Sequence, residues 1–248
     1  MKRVKIFTLL SLLLIIFVGC ITVDNPATQK REVYFIDDNT EVMIGKNMAE
    51  SIVRENEMVY DRKLLSYLTS IGKRIASLSD RNYLNYEFYI IREESINAFA
   101  LPGGYIFVHS GTLEDLDKDE LAFVLAHEIG HICARHSIKK LQASLGVNLI
   151  LAIALKDVQS DLVKKAIDVM YNVIFLGYSR QDEFLADSLA VKYTIKAGYD
   201  PRSGLSLMEK LKKESNSQYT LAFLSSHPPI EERKKNIEAK IKEYYKGG

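Results

Sequence analysis

Two cysteines, five prolines and thirteen glycines in 248 residues exclude several designs at once. Two Cys allow at most one disulfide, and their contexts, FVGC at Cys20 and HICARH at Cys133, are unrelated, so no disulfide framework holds this chain. Gly and Pro are too few for a collagenous or low-complexity chain. Charge of one sign is missing as well. The 33 Lys+Arg against 32 Asp+Glu leave a formal net charge of +1, with none of the surplus that marks a nucleic-acid binder or a polyacidic tail. What remains is 47% hydrophobic and 26% charged, enough for one substantial core or two small ones. Function must come from particular residues.

A hydrophobic run of membrane-spanning length is also lacking. Ile6 to Val18, broken only by Thr8 and Ser11, is too short for the roughly 20 residues a bilayer needs. Preceded by Lys2, Arg3 and Lys5, it has the basic and apolar regions of an export signal. Phe17-Val18-Gly19-Cys20 resembles the lipobox of bacterial lipoproteins, although Phe17 replaces the usual Leu. That resemblance implies cleavage after residue 19 and lipidation of Cys20. Losing three basic and no acidic residues would turn +1 into −2. Ile21 is not the Asp that retains bacterial lipoproteins in the inner membrane, so the resemblance points to a periplasmic domain held at the outer membrane. Residues 22–32 are polar enough for a tether. The expected organisation is a signal over 1–19, tether and lead-in over 20–44, and a single domain over 45–248.

Within that domain, Ile52, Val59, Leu64, Leu65, Leu68, Ile71, Ile75 and Leu78 recur at threes and fours, predicting two helices with a break near Tyr60-Asp61. YEFYII, residues 86–91, reads as a strand, and a second extended segment over 96–110 turns at Pro102-Gly103-Gly104. Asp117 and Glu120 form a capping box for a helix expected to run to about Leu141. Leu145 to Leu155 reads as a buried helix, with a membrane-facing or groove-covering segment as the alternative, and Leu162 to Leu176 as another helix. Helices follow over Gln181–Ala197, from Pro201 through Lys213, and over Ile230–Tyr245. The fold class is α+β, mostly helical, with a small sheet inserted.

His127-Glu128-Ile129-Gly130-His131 is an HExxH sequence inside a predicted helix, where positions i and i+4 share a face and can offer two imidazoles to one zinc ion. Gly130 stands where a bulky side chain would obstruct close approach. Catalytic zinc commonly takes three protein ligands, and the best third candidate is Glu183. Asp187, one turn on, can accept the outward N–H of His127 or His131. Asp182 points about 100° away and is the weaker candidate. His109 reads as a strand surface residue, His136 as a solvent-side residue about 140° around the helix from His131, and Cys133 as a small buried hydrophobe.

These pieces together resemble the HtpX-like zinc metallopeptidases (metallopeptidase family 48), a group that includes the CAAX prenyl endopeptidases. The matching segments are the helical lead-in of residues 45–79, NAFALPGGYIF over 97–107, ELAFVLAHEIGH over 120–131, SRQDEFLAD over 179–187, and SHPP over 226–229 with Arg233. They span roughly residues 45–240. Leu185 departs from the polar residue usual there. The resemblance implies a zincin-like (gluzincin) fold whose edge strand precedes the HExxH helix. It implies one Zn2+ on His127, His131 and Glu183, with Glu128 as general base. His227 would either stabilise the oxyanion or bind zinc as an inhibitory fourth ligand, and Arg233 would tie the terminal helix to the site through a carboxylate. It also implies that a peptide pairs with the edge strand at Gly104, Tyr105, Ile106 and Phe107, near Asn97 and Ala98. Without multiple long spans the chain resembles the lipid-tethered bacterial branch rather than the prenyl-processing one.

The function expected is a zinc metalloendopeptidase acting on unfolded or misfolded cell-envelope proteins, with a metal-containing periplasmic chaperone or assembly factor as the alternative. A binding module would not need Glu128, which favours the enzyme. Expected partners are extended protein substrates and, through the lipid anchor, a membrane.

Overall fold

The computed structural model describes residues 21–144, 169, 177–213, 227 and 230–246. Cys20, the export segment, Leu145 to Leu155 and most of Leu162 to Leu176 lie outside the described residues.

The first described residues do not form the expected polar tether. Strands β1 (Ile21–Asn25) and β2 (Lys30–Tyr34) pair antiparallel, and Tyr34 at the end of β2 and Ile36 beyond it are buried. Contacts far along the chain hold this hairpin: Lys139 Nζ lies 2.7 Å from Glu32, and the Phe35 N–H donates to Gln142 at 2.8 Å. Asn25 is buried and donates its side-chain amide to Glu32 at 3.0 Å and to the Tyr34 hydroxyl at 3.3 Å, while Tyr34 supplies the apolar anchor. Helix α1 (Asp38–Glu55) then starts ahead of the expected boundary at 45, capped by the Asp37 carboxylate. Helix α2 (Arg62–Ala76) follows, with Asp61 as its N-cap, so the chain breaks where the sequence predicts.

Three strands make the central sheet: β3 (Glu87–Ile91), β4 (Ala98–Leu101) and β5 (Tyr105–His109), in the order β3-β5-β4. Strand β5 runs parallel to β3 and antiparallel to β4. It is therefore the central strand, contrary to the expected edge. Gly103 at φ 77° and Gly104 at φ 111° make the turn that folds β4 back along the free side of β5. Strand residues alternate between two cores. Ala98, Ala100, Ile106 and Val108 face one, and Phe99, Leu101, Tyr105 and Phe107 face the other. A strand buried on both faces reads as a continuous apolar run, as Tyr105-Ile106-Phe107-Val108 does.

A short helix α3 (Ser110–Asp115) leads from the sheet to α4 (Lys118–Cys133), the helix that carries HExxH. The capping box forms as expected: Asp117 accepts from the Asp119 and Glu120 N–H groups while Glu120 accepts from the Asp117 N–H. Every residue of α4 from Glu120 to Cys133 is buried, as befits a helix apolar nearly all round. It ends at Cys133 rather than near Leu141. Arg135 takes a left-handed backbone, φ 55°, and a separate helix α5 (His136–Ser144) starts beyond it.

Helices α6 (Arg180–Lys196), α7 (Ser203–Lys213) and α8 (Ile230–Lys246) close the larger core, and α6 packs along α4. Gly130 permits that approach: a Cβ there would lie 3.1 Å from the Ala186 carbonyl oxygen and 3.3 Å from the Leu189 Cβ. Ile237 and Ile241 seat α8 on this core, and Cys133 is fully buried as expected. The fold is mixed α+β and mostly helical. No helix among the described residues is long and apolar enough to cross a membrane.

Candidate metal centre

Helices α4, α6 and α8 each deliver polar side chains into one buried volume. From α4, His127 and His131 turn the same way, one helical turn apart. From the first turn of α6 comes Glu183, and from its second Asp187. Arg233 enters from α8, and His227 comes from the segment before it. All of these side chains are at most 2% exposed. The donor atoms are therefore spread over several segments, and HExxH alone does not make the centre.

His127, His131, Glu183 and His227 offer one ligand atom each within 4.8 Å of one another. His127 Nε2 lies 3.0 Å from His131 Nε2, 3.5 Å from Glu183 Oε2 and 3.4 Å from His227 Nδ1. His131 Nε2 is 3.4 Å from Glu183 Oε1, which is 3.1 Å from His227 Nδ1. A tetrahedral zinc with ligand bonds of about 2.0–2.1 Å requires ligand-to-ligand edges of about 3.3–3.4 Å. The donors fit that ion in kind and spacing.

Tautomers fit it as well. His127 Nδ1 faces Asp187 Oδ1 at 3.0 Å, with Arg233 Nη2 3.3 Å away; a proton kept on Nδ1 toward Asp187 is the one that leaves Nε2 for an ion. Asp187 is fixed in turn by Arg233, whose Nε and Nη2 donate to its two oxygens at 2.9 and 2.7 Å. Arg233 Nη1 also donates to the His227 carbonyl at 3.1 Å and lies 3.3 Å from Glu183 Oε2. Arg233, on the terminal helix, therefore contacts the Asp187 and Glu183 carboxylates.

Electrostatics follow from burial and pairing. Burial drives the His131 imidazole down to about 3. Burial and the Arg233 charge also push His127 down, but the Asp187 and Glu183 carboxylates outweigh them and hold it up at about 9. Burial would raise Glu183, yet the His227 and Arg233 charges keep it well below the usual carboxylate range. Glu128 stands apart. It is 1% exposed, burial raises it, and its Oε1 has no hydrogen-bond partner among the described residues, with His227 Nε2 3.7 Å away. An orphaned carboxylate oxygen beside such a donor set is suited to take a proton from a bound molecule.

The profile of peptidase family M48 matches residues 63–241. This chain belongs to peptidase family M48. It is 34% identical over 203 residues to the mitochondrial metalloendopeptidase OMA1 of Schizosaccharomyces pombe, covering 78% of this chain and 60% of that protein. It is 25% identical over 206 residues to the β-barrel assembly-enhancing protease of Escherichia coli strain K12, covering 78% of this chain and 42% of that protein. Over 268 residues it is 25% identical to the metalloprotease YcaL of the same strain, covering 97% of this chain and 98% of that protein. The chain thus spans 60% or less of the first two, and nearly all of the third. His127, His131, Glu183 and His227 all lie within the residues that the family profile matches.

The remaining sequence-predicted residues distribute unevenly. Gly104, Tyr105, Ile106 and Phe107 cannot receive an added strand, because both sides of β5 are already paired. Among the described residues β3 and β4 are the outer strands; β4 begins at Ala98, and Asn97 just before it has a buried Oδ1 without a hydrogen-bond partner among them. Asp182 is outside the donor cluster and serves the α6 capping box with Ser179. His109 is half-buried against Ser95, whose Oγ lies 2.7 Å from its Nδ1. His136 contradicts the solvent-side expectation: it is 2% exposed, with its Nδ1 2.9 Å from His131 Nδ1. The turn at Arg135 voids the helical angle on which that expectation rested. Tyr178, stacked on the His131 ring with centroids 4.1 Å apart, also escaped the sequence reading, although it stands directly before the Ser179 motif.

Proposed function

We propose that the protein is a zinc metalloendopeptidase of the bacterial cell envelope, cutting unfolded or misfolded proteins. The observation that carries this reading is the buried set of four donors, with a Glu128 oxygen beside it that has no hydrogen-bond partner among the described residues. His127, His131 and Glu183 would hold one zinc ion, and Glu128 is the general base. Zinc in such a site supplies polarisation of a peptide carbonyl and acidification of water. Glu128 takes the proton that water gives up and delivers it to the leaving nitrogen. Asp187 and Arg233 hold His127 in the tautomer that ligation needs.

His227 is the gate. Catalytic zinc sites keep a position for the reacting molecules, and four protein ligands fill it. The contacts of His227 Nδ1 with Glu183 and His127 favour the reading of an inhibitory fourth ligand over that of an oxyanion stabiliser. His227 must leave that fourth position before substrate reaches it.

Substrate would add to the β4 edge near Asn97 and Ala98, reading extended backbone rather than side chains, which suits unfolded chains. Lipidation at Cys20 would hold the domain at the periplasmic face of the outer membrane. The naming of one relative as a β-barrel assembly-enhancing protease accords with an envelope substrate. Incubation of the full chain with unfolded casein and denatured envelope proteins tests this reading. Chelator-sensitive cleavage is expected. Binding without cleavage would instead favour the chaperone alternative.

A further inference from the structure

The two α4 histidines need the same thing, an Nε2 lone pair turned toward the centre, and they obtain it from different neighbours. For His127 the neighbour is a carboxylate. Among the described residues the place beside His131 Nδ1 is taken not by a carboxylate but by His136 Nδ1 at 2.9 Å. The two rings meet edge-on, with centroids 4.9 Å apart and planes inclined by 73°.

We propose that His136 is a positioning residue for the metal centre, with Asp182 behind it. This inference rests on the zinc reading of His127, His131 and Glu183. A contact of 2.9 Å between two imidazole Nδ1 atoms is a hydrogen bond only when one carries a proton and the other a lone pair. Two arrangements are available. If His136 donates, His131 carries its proton on Nε2, aimed at the other ligands, and the bare Nε2 of His136 faces a carboxylate. If His131 donates, its Nε2 lone pair points into the centre and His136 carries its proton on Nε2.

Asp182 selects the second arrangement. Its Oδ1 lies 3.4 Å from His136 Nε2. His136 Nε2 has no hydrogen bond among the described residues, so the contact with Asp182 is electrostatic, yet a buried N–H facing a carboxylate is favoured and a lone pair facing it is not. Ser179 fixes Asp182 by donating its hydroxyl to Oδ2 at 2.6 Å and its N–H at 3.2 Å, which leaves Oδ1 for His136. The capping box that starts the Glu183 helix thus also orients the second histidine ligand. Tyr178 completes the cage, stacked on His131 and sharing a 2.7 Å hydrogen bond with Ser137.

The test is zinc affinity of the metal-free full chain, measured by competition with a chromophoric chelator, together with the visible spectrum of the Co2+-loaded protein. His136→Leu keeps bulk and removes the acceptor. It should weaken zinc binding by about 10–100-fold and alter the Co2+ bands. His136→Asn, whose side-chain oxygen replaces the accepting nitrogen, should restore both toward wild type. Asp182→Asn should lose affinity in the same direction by less. Wild-type affinity and an unchanged Co2+ spectrum in His136→Leu would overturn the proposal. Should that variant fail to fold by circular dichroism, unchanged zinc affinity in Asp182→Asn would overturn it. A wild-type chain that takes up no zinc overturns the metal-centre reading and this inference with it. Equal zinc binding by wild type and His136→Leu overturns this inference alone.

Discussion

Arg233 grips both oxygens of Asp187, Nε to Oδ2 at 2.9 Å and Nη2 to Oδ1 at 2.7 Å, with both side chains at most 1% exposed. The pair lies directly behind His127, so its integrity bears on stability and on metal binding separately. Replacing Arg233 by Leu strands a buried carboxylate and should cost about 3–5 kcal/mol. The double variant Arg233→Met with Asp187→Leu removes the stranded charge and should recover much of that loss, but not the zinc affinity. Denaturant unfolding beside chelator competition checks both; a double variant with normal zinc affinity contradicts the positioning role of Asp187.

Removal of His227 separates gate from oxyanion stabiliser. Because Arg233 Nη1 binds the backbone carbonyl at this position, His227→Ala keeps that contact. Gating predicts faster cleavage of an unfolded substrate at unchanged zinc content. Collapse of turnover with zinc still bound would reinstate the oxyanion role.

Gly130 sets the spacing of the two ligand-bearing helices. A methyl group there meets Ala186 and Leu189 at 3.1–3.3 Å, so Gly130→Ala should be accommodated with a modest loss, while Gly130→Leu must push α6 away. The Leu variant should cost about 1–3 kcal/mol or more and weaken zinc binding, since Glu183 moves with α6. Thermal unfolding and metal titration read the two effects; tight zinc binding in the Leu variant would show that this spacing is not critical.

Burial lowers the imidazole of His109 from its ordinary 6.5, against a smaller opposing pull from Glu93. The sign of the linkage follows. As pH falls through 6.5 the unfolded chain binds a proton that the folded His109 resists, so stability drops on the acid side until the folded value is passed. His131 and His136, also lowered by burial, act in the same direction. His109→Gln should flatten the loss of stability as pH falls below about 6.5 relative to wild type. Urea midpoints at several pH values measure it, and an unchanged slope would remove His109 from this account.

Local signals carried much of this structure into the sequence. The HExxH helix was legible because its apolar periodicity, its capping box and its Gly lie within one segment, and Glu183 and Asp187 were legible because one turn of helix fixes their relation. The features that escaped depend on partners far away in the chain. Nothing local marks Arg135 as left-handed. Its backbone is held by a 2.7 Å contact to Glu41, a 2.8 Å hydrogen bond to the Ile36 carbonyl and the Tyr34 ring 4.0 Å beneath its guanidinium. That turn brings His136 under His131. The same distant contacts convert the polar stretch after Cys20 into a hairpin. The centrality of β5 was visible in its unbroken apolar run, a signal outweighed by the expectation of an edge strand before the metal helix.

Glu128→Gln tests the central claim most directly, because it removes the base while leaving the donor set untouched. The wild-type chain should bind one zinc ion and degrade unfolded casein in a chelator-sensitive way. The variant should bind the same zinc and lose about 10²–10⁴-fold in cleavage rate. Undiminished cleavage by the variant, or a wild-type chain without zinc, would contradict it.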